Sequence, residues 1–218
     1  MRIFPTRKQM ISALPNRGIV AEVGVQLGHF SRNILRQARP RRLHLIDCWQ
    51  EHHDDLDYPH DGCPGDQAEH NSNFAYVRQR FAAEIARGQV VLHRGYSAPM
   101  LQAFPDHYFD WVFIDANHSY EAVSEELATV LPKLKRGGVI SGHDYINTPH
   151  WKNLNYGVVE AVDEFCARHG WELIAKTPGP GWEVDQTDNP SFAIRQAGLK
   201  PLWYAWEARL PFVIRRAA

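Results

Sequence analysis

Apolar runs of strand length alternate with segments of helical spacing along most of the chain, and this alternation constrains the fold most. The seven runs predicted as strands are 18–25 (GIVAEVGV), 43–49 (LHLIDCW), 89–93 (QVVLH), 110–114 (DWVFI), 139–143 (VISGH), 171–175 (WELIA) and 191–195 (SFAIR). Between them, apolar residues recur at helical spacing, as do Phe30, Ile34 and Ala38. Since the strands are almost continuously apolar, we predict an α/β fold with one mostly parallel sheet covered by helices on both faces.

The chain has the size of one domain and carries little net charge. Its 218 residues have a formal net charge of −1, which argues against nucleic acid or an anionic membrane as a partner. The three cysteines form no C-x-x-C pair, and no apolar run approaches the ~20 residues that span a bilayer. We therefore expect a cytoplasmic protein with a single domain over 1–218 and a core of about 15–196.

Two segments stand outside that core pattern. Segment 50–70 is a polar loop rich in Asp and His, which we interpret either as a solvated loop or as a lid. Segment 197–218 is an aromatic C-terminal extension. We expect it to fold back on the sheet or to form a homodimer contact.

Parallel sheets bind ligands beyond the carboxyl ends of their strands, so the residues at those ends are the candidates for a site. The first strand leads into a glycine turn with Glu22, Gly24, Gly28 and Ser31. Such a turn lets the backbone approach a ligand, and the helix that follows favours an anionic group. The spacing E-x-G-x-x-x-G differs from the dinucleotide pattern G-x-G-x-x-G. A tight turn without a ligand is the alternative.

The next two strands end in groups that suit a nucleoside. Asp47 is placed to accept hydrogen bonds from ribose hydroxyls, or else caps its own loop. Trp49 could cover a base or pack in the core. Gly95 and Ser97 follow the third strand, where Ser97 is either a helix cap or a neighbour of the bound base.

Acids and imidazoles follow the fourth and fifth strands. Asp115 and His118 come after DWVFI, and His143 and Asp144 come at the end of VISGH. Because neighbouring strands lie about 5 Å apart, we expect these groups to converge. Two carboxylates this close could hold Mg²⁺ or another divalent ion. The alternative is a helix cap and surface histidines.

Four segments in this order resemble a known family. EVGVQLGHFS, LIDCW, FIDANHSYEAV and LKRGGVISGHDY are together similar to class I S-adenosylmethionine-dependent methyltransferases over about residues 15–175. The chain resembles most the small bacterial branch related to macrocin-type and catechol-type O-methyltransferases. The resemblance implies a Rossmann-like three-layer sandwich with seven strands in the order 3-2-1-4-5-7-6, the seventh antiparallel.

The resemblance also implies roles for individual residues. It assigns to S-adenosyl-L-methionine the residues Glu22, Gly24, Gly28, Ser31, Asp47, Gly95, Ser97 and Asp115. Trp49 joins them as the residue that could cover the base. It makes His118 the candidate base, with Asp115 and His143 as its catalytic neighbours. Metal-dependent relatives imply a divalent cation at Asp115 and Asp144. The third ligand departs from their pattern, since His143 precedes Asp144 where macrocin-type enzymes carry an acid, and Tyr145 follows it where catechol-type enzymes carry Asn.

The resemblance implies O-methylation of a hydroxyl on a small molecule or a sugar. Two other functions are kept as alternatives. A non-catalytic nucleoside-binding module could use the same fold, but would not need the Asp115, His118 and Asp144 cluster. An NAD(P)-dependent dehydrogenase would need the glycine spacing that this turn lacks.

Overall fold

The computed structural model describes residues 1–51, 65–179 and 188–199. Most of the predicted lid over 50–70 and of the aromatic extension over 197–218 lies outside these residues. The strands are β1 (Arg2–Ile3), β2 (Ile19–Val23), β3 (Arg42–Asp47), β4 (Val90–Arg94), β5 (Phe109–Ile114), β6 (Leu134–Gly142), β7 (Trp171–Lys176) and β8 (Phe192–Gln196). The α-helices are α1 (Arg7–Ser12), α2 (His29–Gln37), α3 (Gln67–Arg80), α4 (Ala82–Ala86), α5 (Ser97–Gln102), α6 (Tyr120–Val130), α7 (Pro149–Asn153) and α8 (Val158–His169).

All these strands join one sheet with the order β4-β3-β2-β5-β6-β8-β7-β1. Strands β2 to β8 are the seven predicted ones, and their order 3-2-1-4-5-7-6 is confirmed. Strand β8 runs antiparallel to β6 and β7, as expected. The eighth strand is a difference from the prediction: β1 adds two residues in parallel beside β7. A two-residue strand is too short to show a periodic pattern.

The helix after β5 is shorter than its apolar spacing indicates. That spacing predicts a helical face from Val123 to Leu134, ending at Gly137-Gly138. The α-helix instead ends at Val130, and a 3₁₀ turn follows over Leu131–Lys133. Pro132 lies in that turn and has no N–H to continue the α-helix. Leu134 therefore begins β6 and pairs with Phe109.

Two apolar clusters cover the two faces of the sheet. Met10 of α1, Ile34 of α2 and Val77 of α3 belong to one cluster, and each is fully buried. Leu127 of α6 and Val162 of α8 belong to the other. The sheet is thus buried on both sides, which explains why its strands read as continuous apolar runs.

The register of the central strands sets the position of the site. Ile114 at the end of β5 lies opposite Val23 of β2 and Gly142 of β6. The residues that follow these strands therefore emerge at one level of the sheet edge.

Within the described residues, no helix has both the length and the apolar character needed to cross a membrane.

Candidate active site

A cavity of about 620 Å³ opens at the carboxyl ends of β2, β3 and β5. Its volume suits a small-molecule ligand. The strand-end residues that line it are Glu22, Gly24, Asp47, Trp49, Ser97, Asp115 and His118. The other predicted residues are not in its wall, and these are Gly28, Ser31, Gly95, His143 and Asp144. The cavity thus lies at the carboxyl ends of strands, where the rule for parallel sheets predicts a ligand site.

The glycine turn after β2 packs directly on the end of β5. Gly24 has φ +83°, and a Cβ there would lie 1.8 Å from the carbonyl oxygen of Asp115. Gly28 is the cap residue before α2 and has φ +67°, and a Cβ there would lie 2.7 Å from the ring of Phe81. Both positions combine a left-handed backbone with a close neighbour, so they exclude side chains.

Two buried polar groups accompany this turn. Glu22 is 1% exposed and Ser31 is fully buried. Glu22 Oε2 and Ser31 Oγ have no hydrogen-bond partner among the described residues. Burial raises the pKa of Glu22 to about 8. The Ser31 hydroxyl lowers that pKa but does not cancel the effect of burial. A ligand that brings a cation to Glu22 would compensate for the lost hydration.

Asp47 fastens the end of β3 to the glycine turn. Its Oδ2 accepts from the backbone N–H groups of Val25 at 2.8 Å and Gln26 at 2.9 Å, and its Oδ1 accepts from Trp49 N–H at 2.7 Å. Oδ2 therefore uses both of its lone pairs and Oδ1 keeps one, which leaves a single acceptor site for a ribose hydroxyl. The predicted loop-capping alternative for Asp47 is thus observed, and its ribose role stays a prediction.

Trp49 and Ser97 form further parts of the cavity wall. The Trp49 side chain is 1% exposed, donates through its indole N–H to Gln26 O at 2.9 Å, and packs against Phe74. Ser97 is the first residue of α5, and the cap position is Tyr96, with no side-chain hydrogen bond. The helix-cap interpretation of Ser97 was therefore wrong by one position. Gly95 donates its N–H to Asp47 O at 2.9 Å.

His118 lies between the two strand-end carboxylates. Its Nε2 is 3.1 Å from Asp144 Oδ2 and 3.6 Å from Asp115 Oδ1. One ligand atom from each of Asp115, His118 and Asp144 lies within 4.8 Å of the others. The predicted convergence of the acids is confirmed as a geometric fact. Asp144 has φ +56°, a strained conformation for a non-glycine residue that is common at functional sites.

His143 faces carboxylates through both ring nitrogens. Nδ1 is 3.0 Å from Asp144 Oδ2 and 3.5 Å from Asp115 Oδ1, and Nε2 is 3.0 Å from Asp188 Oδ1. His143 is absent from the group of residues whose ligand atoms converge. Both imidazoles thus lie close to the two acids, but it is His118 whose ligand atom forms a convergent group with Asp115 and Asp144.

The histidines and acids of this cluster shift one another's pKa values in opposite directions. Although burial opposes the shift, Asp115, Asp144 and Asp188 hold the pKa of His143 well above its usual value. Burial likewise acts against ionisation of Asp115, but His143 and His118 keep the pKa of that carboxyl below its usual range. The pKa of Asp144 is lowered in the same way. An imidazolium at His143 thus lets two carboxylates remain ionised side by side.

Three residues that strand ends did not indicate complete the cluster. Arg7 of α1 lies 3.0 Å from Asp188 and 3.7 Å from Asp115, with its guanidinium 4.6 Å from the centre of the Phe30 ring. Asn189 donates to Asp144 Oδ1 at 2.6 Å. Asp188 and Asn189 precede β8, whose antiparallel direction brings them to this edge of the sheet. The antiparallel last strand that the resemblance implies could therefore have pointed to these two residues. No sequence pattern pointed to Arg7, because it precedes the predicted core.

Aromatic rings cover the other side of His118. Its imidazole stacks on Tyr156 with 4.7 Å between ring centres, and Trp151 of α7 lies 4.8 Å from Tyr156. The N–H of Gly157 donates to His118 O at 2.8 Å. Stacking and backbone contact together fix the orientation of the imidazole.

The fold and the cavity together define a class I S-adenosylmethionine-dependent methyltransferase. The strand order is the one that this class implies, and the cavity lies at the carboxyl ends of its central strands. The profile of the Methyltransferase domain family (Methyltransf_24) matches residues 21–145, more than half of the chain. The chain belongs to this family, and S-adenosylmethionine is the family's cofactor.

Solved structures share the fold at low sequence identity. The O-methyltransferase NovP is 24% identical, with 87% of this chain and 79% of that chain covered and a TM-score of 0.56. The precorrin-6y C5,15-methyltransferase of Geobacter metallireducens is 18% identical, with 86% of each chain covered and a TM-score of 0.52. The M1A22 tRNA methyltransferase TrmK of Bacillus subtilis is 10% identical, with 98% and 73% covered and a TM-score of 0.57. A comparison with curated proteins found no match.

Proposed function

We propose that the chain transfers a methyl group from S-adenosylmethionine to a hydroxyl of a small molecule or a sugar, with His118 as general base. The observation that carries this proposal is the position of His118 Nε2, 3.1 Å from Asp144 and 3.6 Å from Asp115. The side chain is 14% exposed and lines the cavity. The imidazole thus borders the space in which the cofactor and the acceptor would bind.

We also propose cofactor contacts for two of the residues that line the cavity. Glu22 would accept from the ammonium of the methionine part, and Asp47 would accept from the ribose hydroxyls. The formal net charge of −1 supports a small acceptor over a nucleic acid, whose phosphates attract basic surfaces.

The mechanism requires a base because a neutral hydroxyl is a weak nucleophile. The cofactor supplies a methyl group on a positively charged sulfur. During methyl transfer, His118 Nε2 would accept the proton of the acceptor hydroxyl, with S-adenosylhomocysteine as the leaving group. Asp144 and Asp115 then stabilise the imidazolium, while Tyr156 keeps the ring in place. Although burial opposes the shift, the neighbouring carboxylates hold the pKa of His143 well above its usual value, so its ring already carries the proton that a base would have to accept.

His118→Ala tests the base. We expect turnover to fall by at least about 100-fold, as is typical when a general base is removed. Binding of S-adenosylhomocysteine should stay within about threefold, since the role concerns proton transfer. The measurement is S-adenosylhomocysteine formation with a panel of sugars and phenols, together with calorimetry. His169→Ala, at an exposed histidine, is the control.

The outcomes separate the enzyme from a binding module. Unchanged turnover in His118→Ala would contradict the base. Tight binding of the cofactor without turnover on any acceptor of the panel would favour the non-catalytic alternative.

A divalent cation is a second proposal, favoured by the convergence of three ligand atoms within 4.8 Å. Asp115 and Asp144 would each provide an oxygen, and His118 Nε2 would provide the nitrogen. A cation held there would lower the pKa of the acceptor hydroxyl. His118 would then serve as a ligand and not as the base.

A chelator distinguishes these two roles. If the cation is required, dialysis against EDTA should remove at least nine-tenths of the turnover, on the order of the factor lost with a metal ligand, and Mg²⁺ or Mn²⁺ should restore it. Asp144→Asn should then need more metal for the same rate. Full turnover in excess EDTA would leave His118 as the base alone.

A further inference from the structure

Exposed arginines form a cluster that the proposed reaction does not use. Segment 32–42 (RNILRQARPRR) contains five arginines and neither a lysine nor an acidic residue. Each of these arginine side chains is exposed, and so is that of Arg17. These six residues are named the arginine track: Arg17, Arg32, Arg36, Arg39, Arg41 and Arg42. Because the whole chain has a formal net charge of −1, the track is a local excess of positive charge.

The first part of the track runs along α2 toward the cavity. Arg32 and Arg36 are four residues apart on this helix, so they lie on one side of it. His29, about one helical turn before Arg32, is exposed and lines the cavity. The track therefore begins beside the cavity that is proposed to hold the cofactor and the acceptor.

The second part of the track lies where α2 ends and β3 begins. Arg17 donates its backbone N–H to Ala38 O at 3.0 Å, next to Arg39, and Arg41 donates its backbone N–H to Gly18 O at 2.9 Å, next to Arg17. Arg17 and Arg39 have φ +59° and +47°, a conformation that glycine adopts more readily. The chain thus carries arginine at two positions where the backbone favours glycine.

The described residues do not neutralise the track. Their arginine ion pairs involve Arg7, Arg87 and Arg168, and include no member of the track. The helix dipole accounts for a cation such as Arg36 in the last turn of α2, but not for Arg17, which precedes β2. Guanidinium groups pair with acidic groups through two parallel hydrogen bonds, so the track suits an external anion.

The length of the track indicates an extended ligand. From His29 to Arg39 the chain advances by ten residues, or about 15 Å at the rise of an α-helix. A small molecule held in the cavity would not reach the far end of the track. A ligand that uses both must therefore be a chain with several negative charges.

The surroundings of the track favour an acidic sugar chain over a membrane or a nucleic acid. A helix that lies on a membrane buries apolar side chains in the lipid, and single-stranded nucleic acids stack their bases on aromatic rings. Segment 28–42 contributes none of the exposed large apolar side chains of the described residues, which are Met1, Ile3, Tyr76, Tyr96 and Tyr120. Since a sugar hydroxyl is among the proposed acceptors, a sugar chain with acidic groups suits both the track and the cavity.

We propose that the arginine track binds an acidic oligosaccharide, and that a sugar at the end of this chain enters the cavity as the methyl acceptor. This inference rests on the proposed function and names the class of its acceptor. Acidic groups along the chain would pair with successive arginines. The hydroxyl oxygen of the terminal sugar would receive the methyl group and lose its proton to His118, and S-adenosylhomocysteine would leave.

Binding of defined oligosaccharides to the full chain, loaded with S-adenosylhomocysteine, tests the track. We expect oligogalacturonate, which has a carboxylate on every sugar, to bind at least about tenfold more tightly than a neutral dextran of equal length. Raising the salt concentration from about 50 to about 200 mM should weaken this binding by about tenfold, because the exposed charges are screened. Calorimetry measures both effects.

Arg32→Gln combined with Arg36→Gln removes two charges of the track and keeps good helix formers. The affinity for oligogalacturonate should fall at least about tenfold, and its salt dependence should become shallower. The matched control is Arg136→Gln combined with Arg168→Gln, which removes the same charge from exposed positions of β6 and α8. It should bind like the wild type, and equal losses in the two double variants would overturn the proposal.

Kinetics test whether the bound chain is the acceptor. Among sugar chains of equal length, those with acidic groups should be methylated with a lower KM than neutral ones. The double variant on α2 should raise that KM and leave kcat within about twofold, since the track binds the acceptor but does not touch the reacting atoms. Equal KM values for acidic and neutral chains with the wild-type protein would overturn the acceptor class.

Two further outcomes are decisive. The proposal would be wrong if neither oligogalacturonate nor heparin, which carries sulfates, bound to the chain, or if single-stranded RNA or vesicles with phosphatidylserine bound more tightly than both. Binding of an acidic oligosaccharide that depends on the track, without methyl transfer to any acceptor, would support the docking surface and contradict the proposed reaction instead.

Discussion

At the scale of single residues, carboxyls in and beside the cavity differ in charge because their neighbours differ. Asp115 and Asp144 face two imidazoles, so they stay ionised despite burial. The pKa values of Glu22 and Glu126 rise to about 8 and about 7, with burial as the largest cause. The two glutamates are therefore poised to respond to what a ligand brings.

Glu22 should release a proton when the cofactor binds. With a pKa of about 8 in the free chain, its carboxyl is mostly protonated at pH 7. A bound ammonium favours the carboxylate, so the pKa falls and up to about one proton leaves. Calorimetry at pH 7 in two buffers of different ionisation enthalpy measures this release.

The control for that release is Glu22→Gln, which cannot titrate. It should bind the cofactor more weakly and give the same enthalpy in both buffers. Equal enthalpies in the two buffers for the wild-type chain would contradict the ammonium contact at Glu22.

At the scale of elements, the turn between β2 and α2 depends on its contact with β5. Gly24 places its Cα against the backbone of Asp115, where an added Cβ would overlap the carbonyl oxygen at 1.8 Å. Backbone atoms cannot move aside as a flexible side chain can. The same contact holds the glycine turn beside Asp115. Both the folding of the chain and the binding of the cofactor therefore require a residue without a side chain at position 24.

Gly24→Ala should lower the free energy of unfolding by about 3 kcal/mol or more, since overpacking adds to the left-handed strain. Gly170→Ala is the matched control, because Gly170 has φ +66° but nothing within 4 Å of an added Cβ. It should cost only about 1–2 kcal/mol. Urea unfolding of both variants measures the difference, and similar losses in the two would contradict the packing argument.

At the scale of the whole molecule, the sheet could be predicted because each central strand is buried on both faces and ends in a change of polarity. Leu134 was predicted on a helix face but lies in β6, since an apolar residue suits a helix face and a strand equally. Of the site, only the residues at the ends of strands were predicted. Arg7 lies on α1, a six-residue helix, and Asp188 lies shortly before β8. Such contacts depend on tertiary packing, which local patterns do not encode.

Away from the cavity, a histidine pair of which one ring is buried should make the stability of the whole domain depend on pH. His44 is 4% exposed; its Nδ1 lies 2.9 Å from Nε2 of His93, and its Nε2 lies 3.2 Å from the Tyr108 hydroxyl. Burial lowers the pKa of His44 to about 4, and it lowers that of His93 as well. The folded chain thus keeps both rings neutral where the unfolded chain binds protons.

Stability should therefore be complete above about pH 6.5, the unfolded pKa of histidine, and should fall as the pH drops toward 4. The slope is up to about 1.4 kcal/mol per pH unit for each histidine, because the unfolded chain binds the extra proton. Urea unfolding at pH 7.5, 6 and 5 measures it. His44→Gln keeps polar contacts but cannot titrate, so its slope should be shallower, whereas His169→Gln at an exposed site should match the wild type. Equal slopes in His44→Gln and the wild type would show that this pair stays outside the pH response.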